Sequence, residues 1–246
     1  MRSLEQHTSA LGCWEDVMKL FRNRREAGHL LAAHLREYAD RSDVLVLALP
    51  KGGVPVAAEV AYALRAPLDV LVVRKIGVPW NPELAVGAIA SGGMMVLDIP
   101  AIDHLDLTHA QLDPVISAER AELARRERVF RIGHPFPALE GQVVILVDDG
   151  LATGATMQAA VAAVKTKGPA RVVVAVPVAS VPAYYALESL VDRVVCLEAP
   201  EPFLGVGAWY EDFSQTTDEE VLSLLAQGRA NELSRRRPAL DGAISA

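Results

Sequence analysis

Only two cysteines, Cys13 and Cys196, occur in 246 residues, and neither sits in a CxxC or Cys/His spacing. That excludes a disulfide scaffold and a structural zinc site, and it fits a reducing compartment, the cytoplasm. Aromatic residues make up 5% of the chain, and 24 Lys and Arg face 31 Asp and Glu, for a net charge of −7. Nucleic-acid binding needs a basic footprint that this balance does not supply. No stretch reaches the roughly 18 uncharged apolar residues that a membrane span requires. The opening MRSLEQHTSALGCWED lacks the apolar centre of a signal peptide. The six histidines show no HxxxH or HxH spacing, so no metal cluster is expected. A Gly-Lys-Ser/Thr phosphate loop, a GxGxxG fingerprint and a GxSxG elbow are also missing.

What the chain does have is apolar sequence, 51% of it, broken into short runs of Val, Leu and Ala. Such runs read as buried parallel strands and their covering helices. Strands are expected at 44–49, 69–75, 84–90, 94–98, 143–149, 171–179 and 193–199. Helices are expected at 14–38, 54–65, 108–131, 156–167, 183–190 and 217–227, and a loop bounded by two prolines at Ile76–Glu83. Alternation of the two predicts an α/β fold: a twisted, mainly parallel sheet with helices on both faces, plus a small hood or insertion at about 91–140. Residues 1–13 are expected to be flexible, 14–229 to form one domain with its core at about 44–213, and 230–246 to form a disordered tail. The arginine groups at 22, 24 and 25, at 125, 126 and 128, and at 235–237 read as solvated helix faces or tail.

Ligands of such sheets bind beyond the carboxyl ends of the strands. One strand end there is chemically distinctive. In VVILVDDGLATGATMQAAVAAVK, an apolar strand ends in Asp148 and Asp149, a loop of small residues follows, and a helix begins. Small residues over Gly150–Thr156 let backbone N–H groups converge at a positively polarised helix start, with Thr153 and Thr156 adding hydroxyls. That is a cradle for a monophosphate. The paired aspartates suit vicinal hydroxyls, directly or through Mg²⁺, which takes oxygen ligands. Phosphate and diol recognised within a few residues describe a ribose 5-phosphate.

This segment resembles the signature of the type I phosphoribosyltransferase family: an apolar strand, two acidic residues and a small-residue Thr-Gly-x-Thr loop. The resemblance implies that Asp148 and Asp149 hold the ribose hydroxyls of phosphoribosyl pyrophosphate and, through them or water, Mg²⁺. Ala152, Thr153, Gly154, Ala155 and Thr156 would wrap its 5-phosphate. ALPKGGVPVAAEVA is similar to the family's pyrophosphate loop, which assigns Lys51, Gly52 and Gly53 to pyrophosphate. Arg74 and Lys75 precede the loop Ile76–Glu83, where the family carries a mobile cover that excludes water from the reacting carbon. Phe203 stands where purine-type members stack an aromatic on the base, with Trp209, Tyr210 and Phe213 as alternatives. The resemblance covers about Val44 to Phe213. FRNRREAGHLLAAHL and YEDFSQTTDEEV further resemble a bacterial group of predicted phosphoribosyltransferases whose acceptor is unknown.

Hypoxanthine-type members carry an aspartate three residues after the acidic pair, where this chain has Ala152, and a lysine at the end of the next strand, where it has VPVAS. Salvage of hypoxanthine or guanine is therefore not expected. The resemblance implies a Mg²⁺-dependent transfer of ribose 5-phosphate to a small nitrogenous acceptor, with release of pyrophosphate, by a chain that forms homodimers. A sensor of phosphoribosyl pyrophosphate or nucleotide and a ribose-phosphate phosphohydrolase are the alternatives the same residues leave open.

Overall fold

The computed structural model describes residues 20–131 and 134–236. Five strands build the main sheet: β1 (Val44–Ala48), β2 (Leu68–Val70), β6 (Val143–Val147), β7 (Arg171–Val178) and β8 (Arg193–Glu198). They run in the order β2-β1-β6-β7-β8, and every pairing is parallel. Alternate residues of β1 feed different cores. Val44, Val46 and Ala48 join one containing Leu31, Val56 and Leu224, and Leu45 and Leu47 join another containing Met157, Val161 and Leu187. Both faces of β1 are thus apolar, and β6 is buried at every residue too, which is why these strands read as continuous hydrophobic runs.

Helices α1 (Arg24–Ala33), α2 (Gly53–Leu64) and α7 (Asp218–Arg236) supply the first core, and α5 (Ala155–Lys165) and α6 (Val181–Glu188) supply the second. A smaller antiparallel sheet follows β2, in the order β3-β4-β5: β3 (Val73–Val78), β4 (Asn81–Ala90) and β5 (Met94–Leu97). Helices α3 (Ile99–His104) and α4 (His109–Phe130) continue it. Arg131, at the end of α4, ties this unit to the main sheet: its guanidinium is 2.8 Å from Asp69 and donates to the Val70 carbonyl at 2.7 Å. Phe136 covers that guanidinium, 4.6 Å from ring centroid to Cζ.

Several expectations are corrected. The segment Ile76–Glu83 is not a loop but most of a β-hairpin, because neither proline occupies a ladder position that needs its N–H. Pro79 lies in the turn between β3 and β4, and Pro82 falls in the bulge where Gly77 pairs with Ala85 while Val78 pairs with Asn81. The smaller sheet consequently begins at Val73, ahead of the 91–140 stretch. Among the described residues, the helix expected over 14–38 is found from Arg24 to Ala33, behind an Asn23 side chain that accepts from the Glu26 N–H at 3.0 Å. The last helix runs on to Arg236 rather than stopping at Gln227, so the segment read as tail begins as helix. The expectations for residues 1–13, Cys13 included, lie outside the described residues.

Candidate functional site

The strand order reverses direction between β1 and β6, and ligands of open α/β sheets bind at such a switch point. Two loops meet there, Pro50–Gly53 after β1 and Asp148–Gly154 after β6. They touch closely. A side chain at Gly52 would put its Cβ 2.0 Å from Asp149 Oδ2, and one at Gly53 would put it 2.7 Å from the Val147 carbonyl oxygen. The glycine pair is therefore required by the approach of the two loops. The peptide between Pro50 and Lys51 is cis.

Both aspartates are half-buried. Asp148 Oδ1 accepts from the Asp149 N–H at 2.9 Å, and Asp149 Oδ2 accepts from Arg24 Nε at 2.8 Å. Burial pushes the Asp148 carboxyl well above the usual carboxylate range, and the neighbouring Asp149 charge adds to the rise. Asp149 is also raised by burial, with Arg24 opposing it. From the other side the Tyr210 hydroxyl donates to the Asp149 carbonyl at 2.6 Å, and burial keeps that hydroxyl protonated far beyond the ordinary range.

The small-residue loop is braced by β7 and α6. Leu151 N–H bonds to the Val178 carbonyl, Ser180 N–H to the Leu151 carbonyl, and the Ser180 hydroxyl to the Ala152 carbonyl at 2.6 Å. Gly154 has φ +72°, a left-handed conformation that turns the chain into α5. Ala152, Thr153, Ala155 and Thr156 remain exposed, and at the start of α5 the Ala155 N–H donates to the Thr153 hydroxyl at 3.4 Å. Lys51 leaves the site: its ammonium is 2.9 Å from Asp218, at the start of α7. It lines a cavity of about 230 Å³ with Pro50, Arg125, Arg126, Phe130 and Asp218.

The structure thus brings Lys51, Gly52, Gly53, Asp148, Asp149 and residues 152–156 to one end of the main sheet. Arg74 and Lys75 stand on the smaller sheet, where Arg74 pairs with Glu119 at 2.6 Å and Lys75 with Glu83 at 3.3 Å. Among the described residues neither bonds to the acidic pair. Phe203 packs on Trp209, with ring centroids 6.4 Å apart, in a cluster with Phe21 and Tyr210. One arginine departs from the solvated reading: Arg24, with 11% of its side chain exposed, grips Asp149. Arg125 and Arg126 stay on a solvated helix face, 62% and 43% exposed and paired with Glu122, at the rim of the cavity that Lys51 lines. Arg24 gave no local signal, since it and Asp149 lie 125 residues apart.

As for cation chemistry, no group of three His, Cys, Asp or Glu side chains able to hold a metal occurs among the described residues. The donors at Asp148 and Asp149 are all carboxylate oxygens, which suits a hard cation whose remaining ligands come from a bound phosphate ester or water. Mg²⁺ fits that donor set.

The main sheet thus carries an acidic pair and a loop of small residues at its switch point. The family model described as phosphoribosyl transferase domain matches residues 17–208, and the chain belongs to that family. The Mycobacterium tuberculosis H37Rv protein Rv0571c, provisionally named a phosphoribosyl transferase, is 46% identical over 208 residues, covering 85% of this chain and 47% of its own length. MT0597 of strain CDC 1551 matches to the same extent. The chain spans about half the length of these curated relatives. The crystal structure of TT1426 from Thermus thermophilus superposes with a TM-score of 0.75 at 46% identity, covering 84% of this chain and 98% of that one. The fold is that of the type I phosphoribosyltransferases.

Proposed function

We propose that the chain transfers ribose 5-phosphate from phosphoribosyl pyrophosphate to a small nitrogenous acceptor, with loss of pyrophosphate. The observation that carries this reading is the junction of Gly52 with Asp149, which sets the expected pyrophosphate and ribose loops edge to edge. One side of that junction offers two carboxylates to a diol. The neighbouring loop offers N–H groups and the Thr153 and Thr156 hydroxyls to a 5-phosphate, and the position of Ala152 and Thr153 is set by Ser180 behind them.

In this reading Asp148 and Asp149 fix the ribose so that C1′ is presented to the acceptor, converting an encounter into a positioned reaction. Lys51, with Arg125 and Arg126 around the same cavity, would meet the charge that accumulates on departing pyrophosphate by exchanging Asp218 for phosphate oxygens. Bound Mg²⁺, held through Asp148, Asp149 and ligand oxygens, would neutralise pyrophosphate charge as the C1′–O bond breaks. Arg74 and Lys75 would serve the centre by exchanging Glu119 and Glu83 for ligand oxygens, and Phe203 would stack on the acceptor from its place beside Trp209. Ala152 supplies no carboxylate to a purine N7, which supports an acceptor other than hypoxanthine or guanine.

The test is thermal unfolding with phosphoribosyl pyrophosphate, with and without Mg²⁺. Ligand at about 100 times Kd adds about 2.7 kcal/mol, which raises Tm by about 5–10 °C for a chain of this size. The Asp148→Asn, Asp149→Asn double variant should fold and show no rise. Absence of a rise in the unaltered protein at millimolar ligand, or an undiminished rise in the double variant, refutes the proposal. Turnover with a panel of bases then separates transfer from mere binding and from acceptor-free hydrolysis.

A further inference from the structure

Two segments that set this chain apart in sequence, FRNRR at 21–25 and YEDFS at 210–214, lie outside the strand-and-loop machinery described above. In the fold they meet. Phe21 N–H donates to the Trp209 carbonyl at 3.1 Å, Glu211 N–H to the Phe21 carbonyl at 2.9 Å, and Asp212 N–H to the Arg22 carbonyl at 2.9 Å. The Phe21 and Tyr210 rings lie 5.4 Å apart, and those of Tyr210 and Phe213 lie 5.2 Å apart. The two segments form a short parallel strap, and the strap closes on one residue.

That residue is Asp149, which is held twice. Tyr210 bonds its carbonyl at 2.6 Å, and Arg24 bonds its carboxylate at 2.8 Å. Arg24 is itself held at two further points: Nη1 donates to the Ser214 carbonyl at 2.7 Å, and the Phe213 ring lies 3.9 Å from its Cζ. An arginine anchored by a backbone carbonyl and an aromatic face has little freedom left, so its Nε points one way. It takes Asp149 Oδ2, the oxygen that abuts Gly52, and leaves Oδ1 for a ligand.

We infer that Arg24 is a positioning residue for the phosphoribosyl site, holding Asp149 so that one carboxylate oxygen is directed at the ribose while the other seals the junction with the glycine loop. The inference rests on the phosphoribosyl reading of that site. The strap Tyr210–Ser214 acts through Arg24 and through the Asp149 backbone, and none of its residues needs to touch the substrate.

The experiment is calorimetric titration of the full chain with phosphoribosyl pyrophosphate and Mg²⁺, alongside Tm of the ligand-free protein. Arg24→Gln, which cannot supply the charged bond, should weaken binding about tenfold or more. Arg24→Lys keeps a charge but cannot span Asp149, Ser214 and the Phe213 ring as the guanidinium does, so it should bind more tightly than Arg24→Gln and less tightly than the unaltered protein. Arg22→Gln is the control: Arg22 pairs with Glu26 and its side chain is 73% exposed, so affinity should not change. If Arg24→Gln lowers Tm but binds as the unaltered protein does well below its Tm, the role is structural and the inference falls. It falls also if Arg22→Gln weakens binding equally. Where Arg24→Gln does not fold, Tyr210→Phe and Phe213→Leu decide: weakened binding in both supports it, and unchanged binding in either overturns it. Failure of the unaltered protein to bind overturns the functional proposal instead, which keeps the two outcomes distinct.

Discussion

Replacing Gly52 by alanine exchanges a hydrogen for a methyl group, and the structure says where that group goes. The backbone at Gly52 has φ −59° and ψ −33°, a conformation alanine adopts without strain, so the cost arises only from the new Cβ. That atom would stand 2.0 Å from Asp149 Oδ2, 2.7 Å from Asp149 Cγ and 3.3 Å from Arg24 Nε. Ordinary contact begins at 3.4 Å, so the carboxylate must retreat by well over an ångström and its bond to Arg24 cannot survive unchanged. Loss of a charge-assisted hydrogen bond costs about 1.5–3 kcal/mol. The smaller entropy of an unfolded alanine returns about 0.4–1 kcal/mol. The net cost of about 1–2 kcal/mol lowers Tm by about 2–8 °C. The larger effect falls on the ligand, because a carboxylate pushed off the Gly52 junction also moves Oδ1, the oxygen left for the ribose. Differential scanning fluorimetry with phosphoribosyl pyrophosphate and Mg²⁺ reads both quantities in one experiment. The expected result is a modestly lowered Tm and a ligand-induced rise that has vanished. A variant that keeps its Tm and its full ligand response would show that the loops have room to spare, and the argument from their close approach would fail.

Three further outcomes are expected. Arg131→Ala leaves Asp69 partly buried without its cation and should cost about 3–5 kcal/mol in urea unfolding, yet leave the ligand-induced rise in place; an unmoved urea midpoint refutes the anchoring role. Ser180→Ala removes both the N-cap of α6 and the bond to the Ala152 carbonyl. It should cost about 0.5–2 kcal/mol of stability and weaken phosphoribosyl pyrophosphate binding, a pairing that titration calorimetry checks. Burial raises the Cys196 thiol to about 11, so in a Cys13→Ser background its alkylation by iodoacetamide should still climb about tenfold per pH unit between pH 8 and 10. A plateau near the ordinary thiol value of about 8.5 would contradict the burial argument.

The main sheet was legible because its central strands are buried on both faces. VLVLA and VVILV carry no polar interruption, and the structure places them side by side as β1 and β6. The acidic pair was legible for a related reason: two carboxylates directly after such a strand have no structural use in a core. What escaped was whatever depended on distant partners or on local irregularity. The β3–β4 hairpin was masked by prolines that a turn and a bulge accommodate. Arg24 resembled any arginine on a helix start until a carboxylate from the far half of the chain arrived beside it. The same holds for Lys51, whose partner Asp218 belongs to α7. Periodicity reports which side of a helix is dry, not which opposite charge will face it.

The strap has a consequence for the order in which the chain becomes competent. Arg24 must find Asp149, 125 residues later, and Ser214, 190 residues later, and the Tyr210 hydroxyl must reach back across 61 residues to the Asp149 carbonyl. During synthesis the sheet through β6 and the small-residue loop emerge well before residue 210 does. A growing chain at that stage holds every residue of the acidic motif and still lacks the lock that orients it. Orientation of Asp149 therefore depends on the segment around Tyr210 docking onto Phe21, a contact that no chain ending before that segment can make.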